Sequence, residues 1–241
     1  MIRKITYFMI IVTCFFSVTL EAESLPVWLI PLREAVYEQI LNADEIKPIY
    51  SNISTAAKVV LSGSALDIAL SRCEYFMGRA YLYEERNQEA RVHFEEGMRL
   101  AEKALEASPS AAAWALRAEN LAHLCQVNST SFAMANGLNV ERYARNALAI
   151  DSRNALAQYL IAARWVYAPW PFNNHRRGIE MMTEIINNGN MDKDDRFNVY
   201  SSIGYAYIQQ RRPSEARPWL QRSLEIYPTN KFVAELLSNI R

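Results

Sequence analysis

Near the C-terminus, Ile203, Gly204, Tyr207, Ala216, Leu220 and Ser223 stand one, three, nine, four and three residues apart. Met77, Gly78, Tyr81, Ala90, Phe94 and Gly97 repeat the same five intervals. Steps of three and four keep side chains on one face of an α-helix, and the step of nine bridges two helices. In the later copy that bridge contains Gln210-Arg211-Arg212-Pro213, a break, so each copy reads as a helix, a turn and a second antiparallel helix. Gly204 and Ala216 are small where the two helices approach most closely, and Tyr207 and Leu220 fill the space beside them. Pro228 cannot continue the second helix. Pro218 falls near that helix's start, where a kink is expected.

Two looser copies lie between. Trp114, Arg117, Ala118 and Leu121 make a first helix whose partner, 140–150, follows an expected loop over 126–139. Residues 154–167 make another, with Ala162 in the small slot, and the loop 168–174 precedes a partner over 177–186. The small anchors Gly78, Ala118, Ala162 and Gly204 are then 40, 44 and 42 residues apart. Upstream, 31–43 and 51–61 read as two more helices, and Ser64 with Asp67 reads as the cap of the next. Residues 230–241 read as a terminal helix covering the last apolar face.

This pattern resembles the tetratricopeptide repeat (TPR), a helix–turn–helix unit of about 34 residues. The resemblance is specific in the outer copies and looser in the inner two, whose spacing is longer. It implies an all-α helical-repeat superhelix (α-solenoid). The organisation expected is an N-terminal segment 1–22, packing helices over 23–63, and four units at about 65–109, 110–152, 153–190 and 197–230. A capping helix over 231–241 ends the chain. In this family the first helix of each unit lines a concave surface where ligands bind. Carried over by spacing, that face holds Arg79, Glu119, Ala163 and Tyr205, with Tyr75, Ala115, Tyr159 and Ser201 three residues before the anchors. Tyr83, His123, Tyr167 and Gln209 come five residues after them. Tyrosine occupies five of these twelve positions, an enrichment that suits a binding surface needing both apolar area and a hydroxyl. The alternative is that several of these rings pack on neighbouring helices. The family's carboxylate clamp uses Lys, Asn and Arg here, and only Arg79 fits, so acidic C-terminal peptides are not the favoured ligand. Trp170 and Phe172, in a loop with two prolines, are a second candidate contact, or else plug a gap between helices.

Composition excludes several classes. With 26 Lys+Arg against 26 Asp+Glu there is no global pull toward nucleic acid, and Arg176-Arg177 and Arg211-Arg212 are only short basic pairs. Seven glycines argue against a β-sandwich and a Gly-rich phosphate loop. His93, His123 and His175 stand apart from any metal-ligand spacing, and no GxSxG, GxxxxGK[ST] or GxGxxG occurs. Asp192-Lys193-Asp194-Asp195 reads as charge complementing a helix N-terminus rather than as a calcium loop. No enzyme activity, metal or cofactor is expected.

The N-terminus reads as a secretory signal: Arg3 and Lys4 precede an apolar run over 5–20, with cleavage after Ala22. The alternatives are an uncleaved anchor, which needs about 20 apolar residues, and a lipid on Cys14, for which Ile11-Val12-Thr13 is a poor lipobox. Cys73 and Cys125 are offset by twelve residues on parallel helices, about 18 Å, beyond disulfide reach, so both are expected free. The function expected is a non-catalytic, exported, periplasmic scaffold for a protein or peptide partner. The alternative is a periplasmic small-molecule or lipid carrier, since exported bacterial TPR proteins associated with TRAP-type transporters are similar in architecture. An open groove exposing Tyr75, Tyr83 and Tyr159 would favour the scaffold, and a closed, lined cavity the carrier.

Overall fold

A computed structural model describes residues 26–188 and 191–240; the expected signal segment therefore lies outside the described residues. These residues form eleven α-helices and no strand, an all-α helical-repeat solenoid. After a 3₁₀ turn at Val27–Leu29 come α1 (Ile30–Glu38) and α2 (Ala43–Val60). Four antiparallel pairs follow: α3 (Gly63–Tyr83) with α4 (Asn87–Ala107), and α5 (Ala111–Val127) with α6 (Thr130–Ile150). The third and fourth are α7 (Ala155–Tyr167) with α8 (His175–Asn188), and α9 (Lys193–Gln209) with α10 (Pro213–Ile226). α11 (Lys231–Ser238) packs on α10, and α3, α5, α7 and α9 pack successively on one another along the inner side.

The small anchors sit at helix crossings. A Cβ on Gly78 would stand 2.6 Å from the Phe94 ring, and one on Gly204 would stand 2.6 Å from Leu220 Cδ2. Ala118 and Ala162 are fully buried in the corresponding slots. Cys73, in the middle of α3, and Cys125 are free thiols, as the helical offset predicts.

Several boundaries differ from the sequence reading. The loop expected over 126–139 is instead helix: only Asn128 and Ser129 separate α5 from α6. The Ser129 side chain accepts the Phe132 amide and caps α6, and the following Phe-Ala-Met-Ala run contains no breaker strong enough to oppose it. α2 begins at Ala43, not Ser51, because Asn42 and Glu45 form a capping box and Pro48 is tolerated inside the helix. α1 ends earlier than expected, at Glu38, where Gln39 turns into the left-handed region at φ 55°. The expected Ser64 cap is also displaced: α3 starts at Gly63, φ +58°, after Ser62. α10 runs through Pro218 without interruption.

Candidate functional site

The concave side is built by α3, α5, α7 and α9, and α1 lies against it. Tyr37 of α1 has 0% of its surface exposed. Its ring meets Phe197 edge-on at 5.3 Å and stacks on Tyr227 at 4.9 Å. Its hydroxyl accepts from Asn198 Nδ2 at 3.1 Å and lies 3.4 Å from the Tyr75 hydroxyl. Around that ring, Arg33 donates to Asp194 at 3.3 Å and Lys193 pairs with Glu34. At the other end of α1, Asn230 Nδ2 donates to the Tyr37 carbonyl at 2.7 Å, and Gln39 Oε1 accepts the Lys231 amide at 2.7 Å. The short N-terminal helix thus joins the first pair to the last pair and the terminal helix.

Beside this clasp lies a polar cluster. Arg72 donates to Glu119 at 3.0 Å, while burial raises the Glu119 carboxyl's pKa against the opposing pull of Arg72 and Arg79. Arg79 donates to the Tyr75 hydroxyl at 2.9 Å and to the Tyr83 hydroxyl. Its guanidinium lies over the rings of Tyr83, Tyr37 and Tyr75 at 4.9, 5.2 and 5.8 Å. Among the described residues no carboxylate comes within ion-pair distance of it. Farther along, Ser202 Oγ is 3.2 Å from the Tyr159 hydroxyl and 2.8 Å from that of Tyr167, and the Tyr167 and Tyr205 rings stack at 5.3 Å. Burial pushes the Tyr159 phenol upward, so its hydroxyl stays a neutral donor and acceptor at physiological pH. His123 stacks on Phe94 at 4.9 Å, and burial, then the Arg79 charge, lowers its ring pKa to about 3.

The structure brings Tyr75, Arg79, Tyr83, Glu119, Tyr159 and Tyr167 into one neighbourhood, with His123 against Tyr75 at its edge. It does not make an open groove of them. Tyr75 is 1% exposed and Glu119 3%, because α1 and the adjoining helices cover them. Tyr83, Tyr159 and Tyr205 are half-buried, and Tyr167 and Gln209 are exposed, so the accessible part is a rim at the C-terminal ends of the first helices. Trp170 and Phe172 plug no gap: they are 84% and 55% exposed in a turn held by Phe172 N–H to Pro169 O at 2.8 Å and Asn174 N–H to Trp165 O at 2.8 Å. The reading by spacing missed Tyr37, Arg72, Asn198 and Ser202. Tyr37 lies outside the repeat, Arg72 and Asn198 each sit six residues before the anchors of units one and four, and Ser202 is one residue beyond the chosen Ser201.

The tetratricopeptide repeat family model matches residues 198–227, most of α9 and all of α10. No curated protein matches the chain. The chain therefore carries a tetratricopeptide repeat over these residues.

Proposed function

We propose that this is a non-catalytic, exported scaffold that binds a protein or peptide partner on the rim of the inner helices. The observation that carries the reading is the stacked Tyr167–Tyr205 pair, partly open to solvent beside exposed Gln209, next to a repeat whose family binds proteins. Rings held at this spacing offer apolar area at little entropic cost, with hydroxyls to fix orientation. The partner meets the rim because α1 already fills the deeper surface around Tyr75. The apolar N-terminal run supports the export and periplasmic part of this reading; N-terminal sequencing of the secreted chain should start at Glu23.

A photo-crosslinking residue in place of Gln209, in the full chain expressed in its own host, should yield one discrete polypeptide adduct. Tyr205→Ala should abolish it with helicity retained. An adduct unchanged by Tyr205→Ala overturns the rim assignment. A second reading, a small-molecule carrier, is favoured by Arg79, whose half-buried guanidinium donates to the phenol oxygens of Tyr75 and Tyr83 and has no carboxylate within ion-pair distance among the described residues. Native mass spectrometry showing a small mass lost on denaturation, and lost in Arg79→Gln, would replace the scaffold with the carrier.

A further inference from the structure

The turns inside the four helical pairs all lie at one end of the solenoid, since the first helices pack side by side and each partner runs back antiparallel. Their chemistry differs. No residue from 127 to 140 is charged, and none from 165 to 174. These two central segments place Met134 and Leu138, then Trp170 and Phe172, in solvent. Large apolar side chains exposed together on successive units need a reason beyond packing.

The side toward the last pair is basic, whereas the turn of the first pair holds Glu84 and Glu85 with Arg86. Arg176 and Arg177 open α8 directly after the aromatic turn, and Arg211 and Arg212 form the turn of the next pair. Arg176 and Arg212 pair with Glu180 and Glu215 on the surface. The exposed side chains of Arg177 and Arg211 have no carboxylate within ion-pair distance among the described residues. Arg177 instead lies over the Trp165 ring at 4.1 Å. An uncharged Trp/Phe tip with unneutralised arginines behind it is complementary to a bilayer interface, where aromatic rings settle at headgroup depth and anionic headgroups attract the cations. No helix among the described residues is long and apolar enough to cross a membrane, so the contact is interfacial.

We infer that the edge of the solenoid carrying Trp170, Phe172 and Met134 docks on an anionic lipid surface, with Arg177 and Arg211 on the headgroups. This contact adjoins the partner rim, with Trp170 three residues from Tyr167 and Arg211 two from Gln209, and is distinct from any attachment through residues 1–25.

The test uses vesicles of phosphatidylcholine, with or without phosphatidylglycerol, whose acyl chains carry bromine to quench buried tryptophan. Wild-type full chain is compared with Trp170→Phe, so attachment through the N-terminal segment acts on both alike and the difference reads Trp170 alone. Vesicles containing phosphatidylglycerol should quench the wild type more than Trp170→Phe. In Arg177→Gln combined with Arg211→Gln, which keeps Trp170, the lipid concentration giving half of that excess should rise roughly five-fold per lost charge. Both arginines are exposed, so the variants fold. Equal quenching of wild type and Trp170→Phe overturns the inference. So does an excess of the same size without phosphatidylglycerol, or a residue 170 that crosslinks to a polypeptide while remaining unquenched.

Discussion

The rings of Tyr37 and Tyr227 stack with centroids 4.9 Å apart and planes inclined by 16°, fastening the N-terminal helix to the end of the last helical pair. Truncating Tyr37 empties the space between α1, α3, α9 and α10. Tyr37→Ala should lower the unfolding free energy by about 3–5 kcal/mol. Tyr37→Phe keeps the stack but leaves the Asn198 amide without its acceptor, at a cost of about 1–3 kcal/mol. Urea unfolding followed by far-UV circular dichroism checks both. A loss below that of Tyr37→Phe in the alanine variant would show that α1 does not clasp the last pair.

Gly204 faces Leu220 where α9 crosses α10, with 2.6 Å between a built Cβ and Leu220 Cδ2. Gly204→Ala should therefore destabilise by about 1–3 kcal/mol, and Gly204→Leu should disrupt the last pair. Leu220→Ala makes room for the added methyl, so the double variant Gly204→Ala/Leu220→Ala should cost less than the sum of the singles. Additive losses in a thermal unfolding cycle would place the crossing elsewhere.

Gly137 lies inside α6 with nothing within 4 Å of where a Cβ would stand. Gly137→Ala should stabilise the protein by about 0.5–1 kcal/mol, because alanine loses less backbone freedom in a helix than glycine. No gain in the urea midpoint would indicate that residues 130–139 are not helical in solution.

A half-buried histidine and a buried aspartate impose opposite pH dependences. Burial, aided by the Arg79 charge, lowers His123 to about 3, whereas the ring titrates near 6.5 when unfolded. The unfolded chain takes up that proton first, so this contribution to stability is lost as pH falls through that window. Burial, reinforced by Asp192, raises Asp194 to about 7 despite Arg72 and Arg33. The folded chain keeps a proton that the unfolded chain has released above about 4, so this contribution is lost as pH rises toward 7. His123→Phe should gain stability relative to wild type as the solution is acidified, and Asp194→Asn should gain relative to wild type as it is made alkaline. Urea titrations at mildly acid and mildly alkaline pH read both differences; slopes identical to wild type would contradict the packing of His123 against Phe94 and the burial of Asp194.

The repeat was legible because its signal is local. Gly78, Ala118, Ala162 and Gly204 mark crossings between helices adjacent in sequence, and residues three and four apart carry the pattern. The N-terminal turns of α6 were not legible. Met134 and Leu138 face solvent, so their spacing carries no amphipathic signal, and the Ser129 cap alone separates helix from loop. Tyr75 and Glu119 were assigned to the inner face by spacing, but spacing cannot say whether something covers that face.

From the chain alone follow an all-α solenoid, its paired helices, the small slots at their crossings, and two free thiols. Tertiary structure decided that the concave side is closed by the chain's own first helix. Arg33 meets Asp194 and Tyr37 meets Asn198 across 161 residues, and Asn230 meets Tyr37 across 193. No periodicity records such pairs, because they exist only once the accumulated rotation of four helical pairs brings the end of the superhelix back to its beginning.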